Sequence, residues 1–147
     1  MLNIRNEQGV ILLEALVGLL IFSIGILGMV ALQAAAISQT ADAKYRSSAS
    51  LLANQIIGQM WGDRGNLAAY SQATGGGTAC NTAGTPSGYA PVTAWLTEIT
   101  GELPGATPAM QTINISGAAN NVVTVTVCWK GAHDSAPHNY VAVAQLK

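Results

Sequence analysis

The chain has 147 residues, half of them hydrophobic and only 9% charged, and its formal net charge is −1. Charged residues make up about a quarter of an ordinary soluble domain, so this composition is poor in charge. The six basic residues are scattered, which is the pattern of neither a nucleic-acid-binding protein nor a protein held electrostatically on a membrane surface. The length predicts one domain together with an apolar anchor.

Residues 10–32 form an apolar run that only Glu14 and Ser23 interrupt. As a helix this run is about 34 Å long, which exceeds the thickness of a bilayer's hydrocarbon core, roughly 30 Å. We therefore expect a transmembrane helix over residues 10–32. A carboxylate inside such a helix needs a cationic partner, a proton or a place near the interface, so Glu14 is the first candidate for a functional residue.

Residues 1–9 form a short leader that ends at Gly9. A secretory signal peptide is an alternative, because the three alanines 34–36 fit a small-residue cleavage site. Two features oppose it. The apolar run is longer than the roughly 7–15 residues of a signal peptide's apolar core, and Glu14 lies inside the run.

The helix is expected to continue beyond the membrane through residues 33–62. No proline occurs between Val10 and Trp61, and Gly62 with the polar residues after it predicts the end of the helix. One face of this continuation carries apolar residues at helical spacing: Tyr45, Ala49, Leu52, Ile56 and Met60. The alternative is a membrane helix and a separate core helix, with a break within residues 33–40.

Residues 63–147 are predicted to form a small head that begins with a loop and a short helix. The glycines at 75–77 indicate a loop within residues 67–88, and Pro91 suits the first turn of a helix over residues 91–103. The apolar stripe of that helix is expected to be buried: Trp95, Leu96, Ile99 and Leu103.

The last third of the chain is predicted to be a three-stranded antiparallel sheet. Side chains alternate in residues 110–115, 123–129 and 140–146, with a turn at Asn120 and Asn121 between the first two strands. One apolar face of this sheet needs a cover, and the face from Tyr45 to Met60 can supply it. The predicted fold class is therefore α+β, with a long N-terminal helix packed on a small antiparallel sheet.

The chain has two cysteines, Cys80 and Cys128. In a small domain beyond a membrane span, such a pair predicts a disulfide formed in an oxidising compartment. The chain-entropy model gives such a cross-link about 4 kcal/mol of stabilisation. Two unrelated reduced thiols are the alternative.

Few residues suggest chemistry in the head. His133, Asp134 and His138 invite a metal site, but their spacing fits no pattern of zinc ligands. No Gly-x-Ser-x-Gly nucleophile motif occurs, and ionisable residues are sparse beyond Gly65. We therefore predict no catalytic, cofactor-binding or metal-binding residue and no enzymatic activity. The three tryptophans are expected in the core or at subunit contacts: Trp61, Trp95 and Trp129.

Residues 9–14, Gly-Val-Ile-Leu-Leu-Glu, resemble the processing site of type IV prepilins and pseudopilins, and the apolar helix that follows extends the similarity. Within that superfamily, residues 12–17 (Leu-Leu-Glu-Ala-Leu-Val) and 23–28 (Ser-Ile-Gly-Ile-Leu-Gly) are similar to the minor pilins of the PilV type. Trp95 followed by Leu-Pro-Gly at 103–105 is similar to the same group.

The resemblance implies a pilin fold and a structural role in priming, stabilising or modifying a type IV pilus. A prepilin peptidase would cleave between Gly9 and Val10 and methylate the new amine of Val10, where the family more often has phenylalanine. Glu14 matches the family's assembly carboxylate, which pairs with the N-terminal amine of a neighbouring subunit.

The implied location is the inner membrane, with the head in the periplasm, and then the pilus filament. The implied partners are the prepilin peptidase, other minor pilins, the major pilin, the inner-membrane assembly platform and a tip adhesin. Two alternatives stay open. One is a minor pseudopilin of a type II secretion system, and the other is a single-span anchor that carries a periplasmic binding module.

Overall fold

The computed structural model describes residues 7–73, 79–81, 84–116, 122–132 and 134–146, and only the backbone of residues 7–9. The predicted glycine loop at 75–77, the turn at Asn120 and Asn121, and His133 lie outside the described residues. The described chain contains two α-helices and three strands: α1 (Glu7–Gly62), α2 (Ala90–Glu102), β1 (Thr112–Ser116), β2 (Val122–Trp129) and β3 (His138–Gln145). It divides into two compact units, Met1–Asp42 and Ala43–Lys147.

The described part of the first unit is helix α1. Among the described residues, α1 is the one helix long and apolar enough to cross a membrane, with a mean hydropathy of 2.7 over its most apolar stretch. Residues 33–40 are helical throughout, so the alternative of a break there is wrong. The helix ends at Gly62, as predicted.

The second unit has one apolar core, and the last five turns of α1 form one side of it. The predicted face is confirmed, because Ala49, Leu52, Ile56 and Met60 are almost completely buried and Tyr45 packs against them. Burying a side chain such as Leu52 contributes about 1.5–3 kcal/mol. These residues share the core with residues of α2 and of the sheet.

Helix α2 spans Ala90–Glu102, close to the predicted range, and has Pro91 in its first turn. Its apolar stripe is buried as expected, and Val92 adds to it. The indole N–H of Trp95 donates a hydrogen bond of 2.9 Å to the carbonyl oxygen of Leu52. This bond joins α2 to α1 and satisfies the one polar atom of a buried side chain.

The three strands form an antiparallel sheet in the order β1-β2-β3, so β2 is central. Ile113 of β1 pairs with Val125 of β2, and Val125 pairs with Ala142 of β3. The predicted alternation in β2 is confirmed, because Val123, Val125 and Val127 are fully buried while the threonines between them are half-buried. The α+β class with a long apolar helix and a small antiparallel sheet is therefore confirmed.

Three boundaries differ from the sequence prediction. The predicted loop begins with a short 3-10 helix, Arg64–Tyr70, and Met110 closes another, Pro108–Met110, rather than starting β1. Short 3-10 turns carry no apolar periodicity that a sequence pattern could reveal. Strand β3 starts at His138, because its first two residues pair with Trp129 and Cys128 at the end of β2.

Candidate functional site

The first candidate site is the exposed apolar surface of α1 in the first unit. The large apolar side chains of residues 10–32 are all exposed, and their exposed fraction ranges from 45% at Ile26 to 73% at Leu32. Soluble monomers rarely expose a contiguous apolar surface of this extent, because it needs lipid or another protein as a partner. The segment has the length and composition of a single membrane span.

Glu14 differs from Ser23, the other polar residue of this segment, in having no hydrogen-bond or ion-pair partner among the described residues. The hydroxyl of Ser23 donates a hydrogen bond of 2.7 Å to the carbonyl oxygen of Leu19, so this group is satisfied within the helix. Within the described part of the chain, the Glu14 carboxylate forms no hydrogen bond or ion pair. An ionised carboxylate in lipid or in a helical bundle gains most from a cation supplied from outside its own helix.

Gly9 and Val10 lie inside α1, because the helix already begins at Glu7. Val10 precedes Glu14 by four residues, which is about one helical turn. If the chain were cut between Gly9 and Val10, the new amine would therefore start a helix whose first turn ends at Glu14. The new amine and the Glu14 carboxylate would then lie at one end of the same helix, about 6 Å apart along its axis.

The predicted disulfide is confirmed and lies in the second unit. Cys80 and Cys128 are joined with a Cα–Cα distance of 5.5 Å, and both residues are buried. Cys80 has a φ of 68°, a left-handed conformation that a residue other than glycine adopts only when its surroundings impose it. The bond fastens residues 79–81 to the central strand of the sheet.

A carboxylate that the sequence analysis did not single out, Asp63, organises the end of α1. Its oxygens accept hydrogen bonds from the Tyr89 hydroxyl at 2.5 Å, the Asn66 amide at 2.8 Å and the Tyr70 hydroxyl at 3.3 Å. The bonds from Tyr89 and Asn66 hold the pKa of Asp63 below its usual value of 3.8. This cluster ties the helix end to the following 3-10 helix and to the start of α2.

The pKa values of the two tyrosines in the Asp63 cluster are raised, whereas that of Asp63 is lowered. Burial and the nearby Asp63 charge raise the pKa of Tyr70 to about 12. The hydrogen bond to Asp63 raises the pKa of Tyr89 as well. Both hydroxyls therefore stay protonated at neutral pH and act as donors, so the cluster serves structure rather than proton transfer.

In the head, two buried glutamine side chains form hydrogen bonds with backbone N–H and carbonyl groups. The Gln111 amide nitrogen donates to the carbonyl oxygens of Thr107 and Cys128, and its oxygen accepts from the Cys128 N–H at 2.7 Å. Gln72 works similarly, receiving the Ser87 N–H at 2.7 Å and donating to the Pro108 carbonyl oxygen. A glutamine in a loop gives no sequence signal for such a role.

Asp134 and His138, two of the three residues considered for metal binding, contact each other and the residues around them. Asp134 Oδ2 accepts a hydrogen bond from the Gly131 N–H and lies 3.2 Å from His138 Nε2. The His138 ring stacks on Trp129 with the ring centroids 5.8 Å apart. Among the described residues, no group of three or more metal-binding side chains comes together.

Two of the three tryptophans lie in the core, which is one of the two predicted locations, and the third is exposed. Trp95 and Trp129 are buried. Trp61 is 42% exposed, and the guanidinium of Arg64 lies 4.5 Å from the centroid of its ring. An exposed tryptophan under an arginine is a common composition of protein–protein contact sites.

A small cleft lies in the head beside Gln72. Its volume is about 270 Å³, slightly below the usual range of ligand pockets, and apolar residues line most of it, among them Pro86 and Pro108. The Gln72 side chain is already engaged by Ser87 and Pro108. The cleft therefore offers little polar chemistry with which to orient a small ligand.

No protein-family model, curated protein or solved structure matches this chain. The described residues form an α+β structure with an apolar helix of membrane-spanning length and a head cross-linked by a disulfide. Within the apolar segment, Glu14 is the ionisable residue that has no hydrogen-bond or ion-pair partner among the described residues.

Proposed function

We propose that the chain is a minor pilin of the PilV type, a structural subunit of a type IV pilus. The observation that carries the proposal is helix α1. The same uninterrupted helix supplies an exposed apolar segment of membrane length and, in its last turns, one side of the core of the head. An ordinary membrane anchor does not need its span and a core helix of its domain to be one element.

The prepilin-like sequence around Gly9 and Glu14 gives this helix its proposed chemistry. A prepilin peptidase removes residues 1–9 and methylates the new amine of Val10. The Glu14 carboxylate of the incoming subunit then pairs with the Val10 amine of a neighbour. At a separation of 4 Å and an effective dielectric constant of 20, such a pair is worth about 4 kcal/mol before desolvation. The pair sets the axial position of one helix against the next.

The same segment serves two environments in turn. In the inner membrane, lipid covers the apolar side chains of residues 10–32 and the head lies in the periplasm. In the filament, other helices replace the lipid, so the apolar surface remains covered throughout. The disulfide between Cys80 and Cys128 fits an oxidising periplasm. Other minor pilins, the major pilin, the assembly platform and a tip adhesin are the proposed partners.

The mature N-terminus tests this proposal. Mass spectrometry of the chain purified from membranes and from sheared fibres should find it beginning at Val10, with a methyl group on the amine where the peptidase has acted on it. An intact Met1 would support a plain membrane anchor, and a start near Ile37 would support an exported protein. Either result would overturn the proposal.

Co-purification separates a pilin from the related pseudopilin of a type II secretion system. A pilin should appear in the sheared pilus fraction and should be lost from it when the pilus assembly platform is deleted. A chain processed at Val10 that fractionates only with the secretion apparatus would assign it to a secretion pseudopilus instead.

A further inference from the structure

The sheet of the head has two edges, and they differ in how far their backbone groups are hydrogen-bonded. At the β1 edge, Gln72 pairs with Ile113 through two backbone hydrogen bonds. At the β3 edge, no backbone hydrogen bond joins the outer side of the strand to any residue that the structure describes. An open edge presents N–H and C=O groups that a further strand can satisfy. Strand β3 therefore deserves a closer description.

The hydrogen bonds of Gln111 show which backbone groups of β3 point outward. The Gln111 side chain lies directly before β1 and bonds to both the N–H and the carbonyl oxygen of Cys128, so these groups point toward the β1 side. Cys128 pairs with Asn139 of β3, and hydrogen-bonded and non-hydrogen-bonded pairs alternate along an antiparallel ladder. The N–H and C=O groups of Val141 and Val143 therefore point away from β2. We call these groups the open edge.

The side chains at the open edge are apolar and uncharged. Val141 is 49% exposed and Val143 is 66% exposed, on the face of the sheet opposite the core. Strand β3 has eight residues and contains no lysine, arginine, aspartate, glutamate or proline. Edge strands of soluble proteins usually carry such residues, because a charge or a proline prevents another strand from pairing. The open edge lacks this protection.

The direction of α1 decides whether a second copy of the chain can fill the open edge. Two copies of β3 pair antiparallel through a twofold axis normal to the sheet, which reverses every direction parallel to the sheet. The last turns of α1 lie along the sheet, because Ala49, Leu52, Ile56 and Met60 share its core. These turns would run in opposite directions in the two copies. Heads that the same helix anchors in one membrane share a direction, so a different protein fits the edge better.

We propose that the open edge of β3 binds an extended segment of a different protein as a fourth strand. The backbone groups of Val141 and Val143 bond to the main chain of that segment, and their side chains favour β-branched or aromatic residues at its alternate positions. Between Asn139 and Gln145 the strand offers no charged partner, so the segment is uncharged there. The inference goes beyond the proposed function, because it applies to any chain that α1 anchors in a membrane.

Photo-crosslinking in cells that produce the full chain tests the geometry. A photoreactive amino acid replaces Val141 or Val143 in two separate variants. The matched control carries it at Asn114, which is exposed on the other edge strand in the same cross-strand row as Val143. Mass spectrometry should place the two links on one segment of a different protein, two residues apart, which is the period of a strand. The Asn114 probe should not link that segment.

A peptide with the sequence of β3, residues 138–145, probes the open edge of the purified full chain in detergent micelles. The free peptide is not constrained by α1, and its own alternation lets it pair antiparallel with β3. It should bind saturably. The same peptide with N-methyl groups on consecutive central residues should bind about tenfold more weakly, because both of its edges lose their hydrogen-bond donors.

Two substitutions at one position separate the backbone from the side chain. Val143→Pro removes an outward N–H that β2 does not use, so it should weaken peptide binding about tenfold while the melting temperature stays near the wild-type value. Val143→Thr is the matched control, because it keeps both the N–H and a β-branched side chain, and it should bind as the wild type does. If Val143→Pro lowers the melting temperature, the comparison of the two peptides decides the question.

Several results would overturn the fourth strand. They are equal binding of the two peptides, unchanged binding to a stably folded Val143→Pro variant, cross-links to a second copy of the chain, links three or four residues apart as on a helix, and no link in cells. Each of them leaves the pilin proposal in place if the chain is processed at Val10 and present in sheared fibres. An intact Met1 would overturn the pilin proposal and leave the open edge to be decided by the cross-links.

Discussion

At the scale of single residues, the two units of the chain differ in how far their polar side chains are hydrogen-bonded. In the head, Asp63, Gln72 and Gln111 each find several hydrogen-bond partners, some of them far away in the sequence. In the apolar segment, Glu14 finds none among the described residues. An unpaired carboxylate is costly in a segment that is long and apolar enough to cross a membrane, and the proposed pilin function would supply its partner.

Glu14→Ala should leave the chain in the membrane and sharply reduce its recovery in sheared fibres. The substitution removes the anion that would pair with a neighbour's N-terminal amine, while the rest of the apolar segment still partitions into lipid. Immunoblots of membrane and fibre fractions measure the two pools. Ser23→Ala is the control, because the Ser23 hydroxyl is satisfied by its own helix. Normal recovery of Glu14→Ala in the fibres would remove this residue from the mechanism.

Asp63→Asn should lower the thermal stability of the head at neutral pH, because it replaces a charged acceptor of three hydrogen bonds. The pKa of Asp63 is lowered in the folded chain, so its stabilisation is present above about pH 4 and is lost as the pH falls through the folded pKa. Thermal unfolding should therefore show a gap between wild type and variant that narrows from pH 7 toward pH 2.

Asp42→Asn, which removes an exposed carboxylate outside the Asp63 cluster, is the control for that measurement. The melting temperature of Asp42→Asn should stay close to that of the wild type at each pH. A gap between wild type and Asp63→Asn that widens in acid would contradict the role given to this carboxylate.

At the scale of elements, the last turns of α1 have one buried side and one exposed side. Leu52 is buried in the core, whereas its neighbour Leu51 is 66% exposed. The buried side packs against the sheet and α2.

Leu52→Ala should destabilise the head by about 2–5 kcal/mol, because it leaves a cavity among buried core residues. Leu51→Ala is a closely matched control and should change the free energy of unfolding by less than about 0.5 kcal/mol. Urea unfolding in detergent, followed by tryptophan fluorescence, measures both values. Equal effects of the two substitutions would show that the burial difference between these adjacent leucines is wrong.

At the scale of the whole molecule, the head is small and relies on one covalent cross-link. The disulfide between Cys80 and Cys128 joins positions 48 residues apart and holds a segment before α2 against the central strand. Domains of this size bury a modest core, so such a bond contributes a large share of the net stability.

The double variant Cys80→Ser/Cys128→Ser should unfold with a free energy about 2–5 kcal/mol below that of the wild type. Reduction should lower the melting temperature of the wild type and leave that of the double variant unchanged, which controls for other effects of the reductant. A melting temperature that the loss of both cysteines does not alter would show that the loop is held by other contacts.

The sequence by itself determined the features that depend on local patterns. Spacing placed Leu52 and Met60 on the buried face of α1, alternation placed Val123 and Val125 in the core, and the count of cysteines left one possible pair. The apolar run could also be predicted from the sequence, because mean hydropathy is calculated over residues that are neighbours along the chain.

Only the tertiary structure decided the contacts between residues far apart in sequence. Asp63 meets Tyr89 and Gln111 meets Cys128 because the elements that carry them pack together. His138 belongs to β3 because it pairs with Trp129, although its local sequence is that of a loop. A hydrogen-bond partner is selected by position in space, and residue type alone leaves many candidates open.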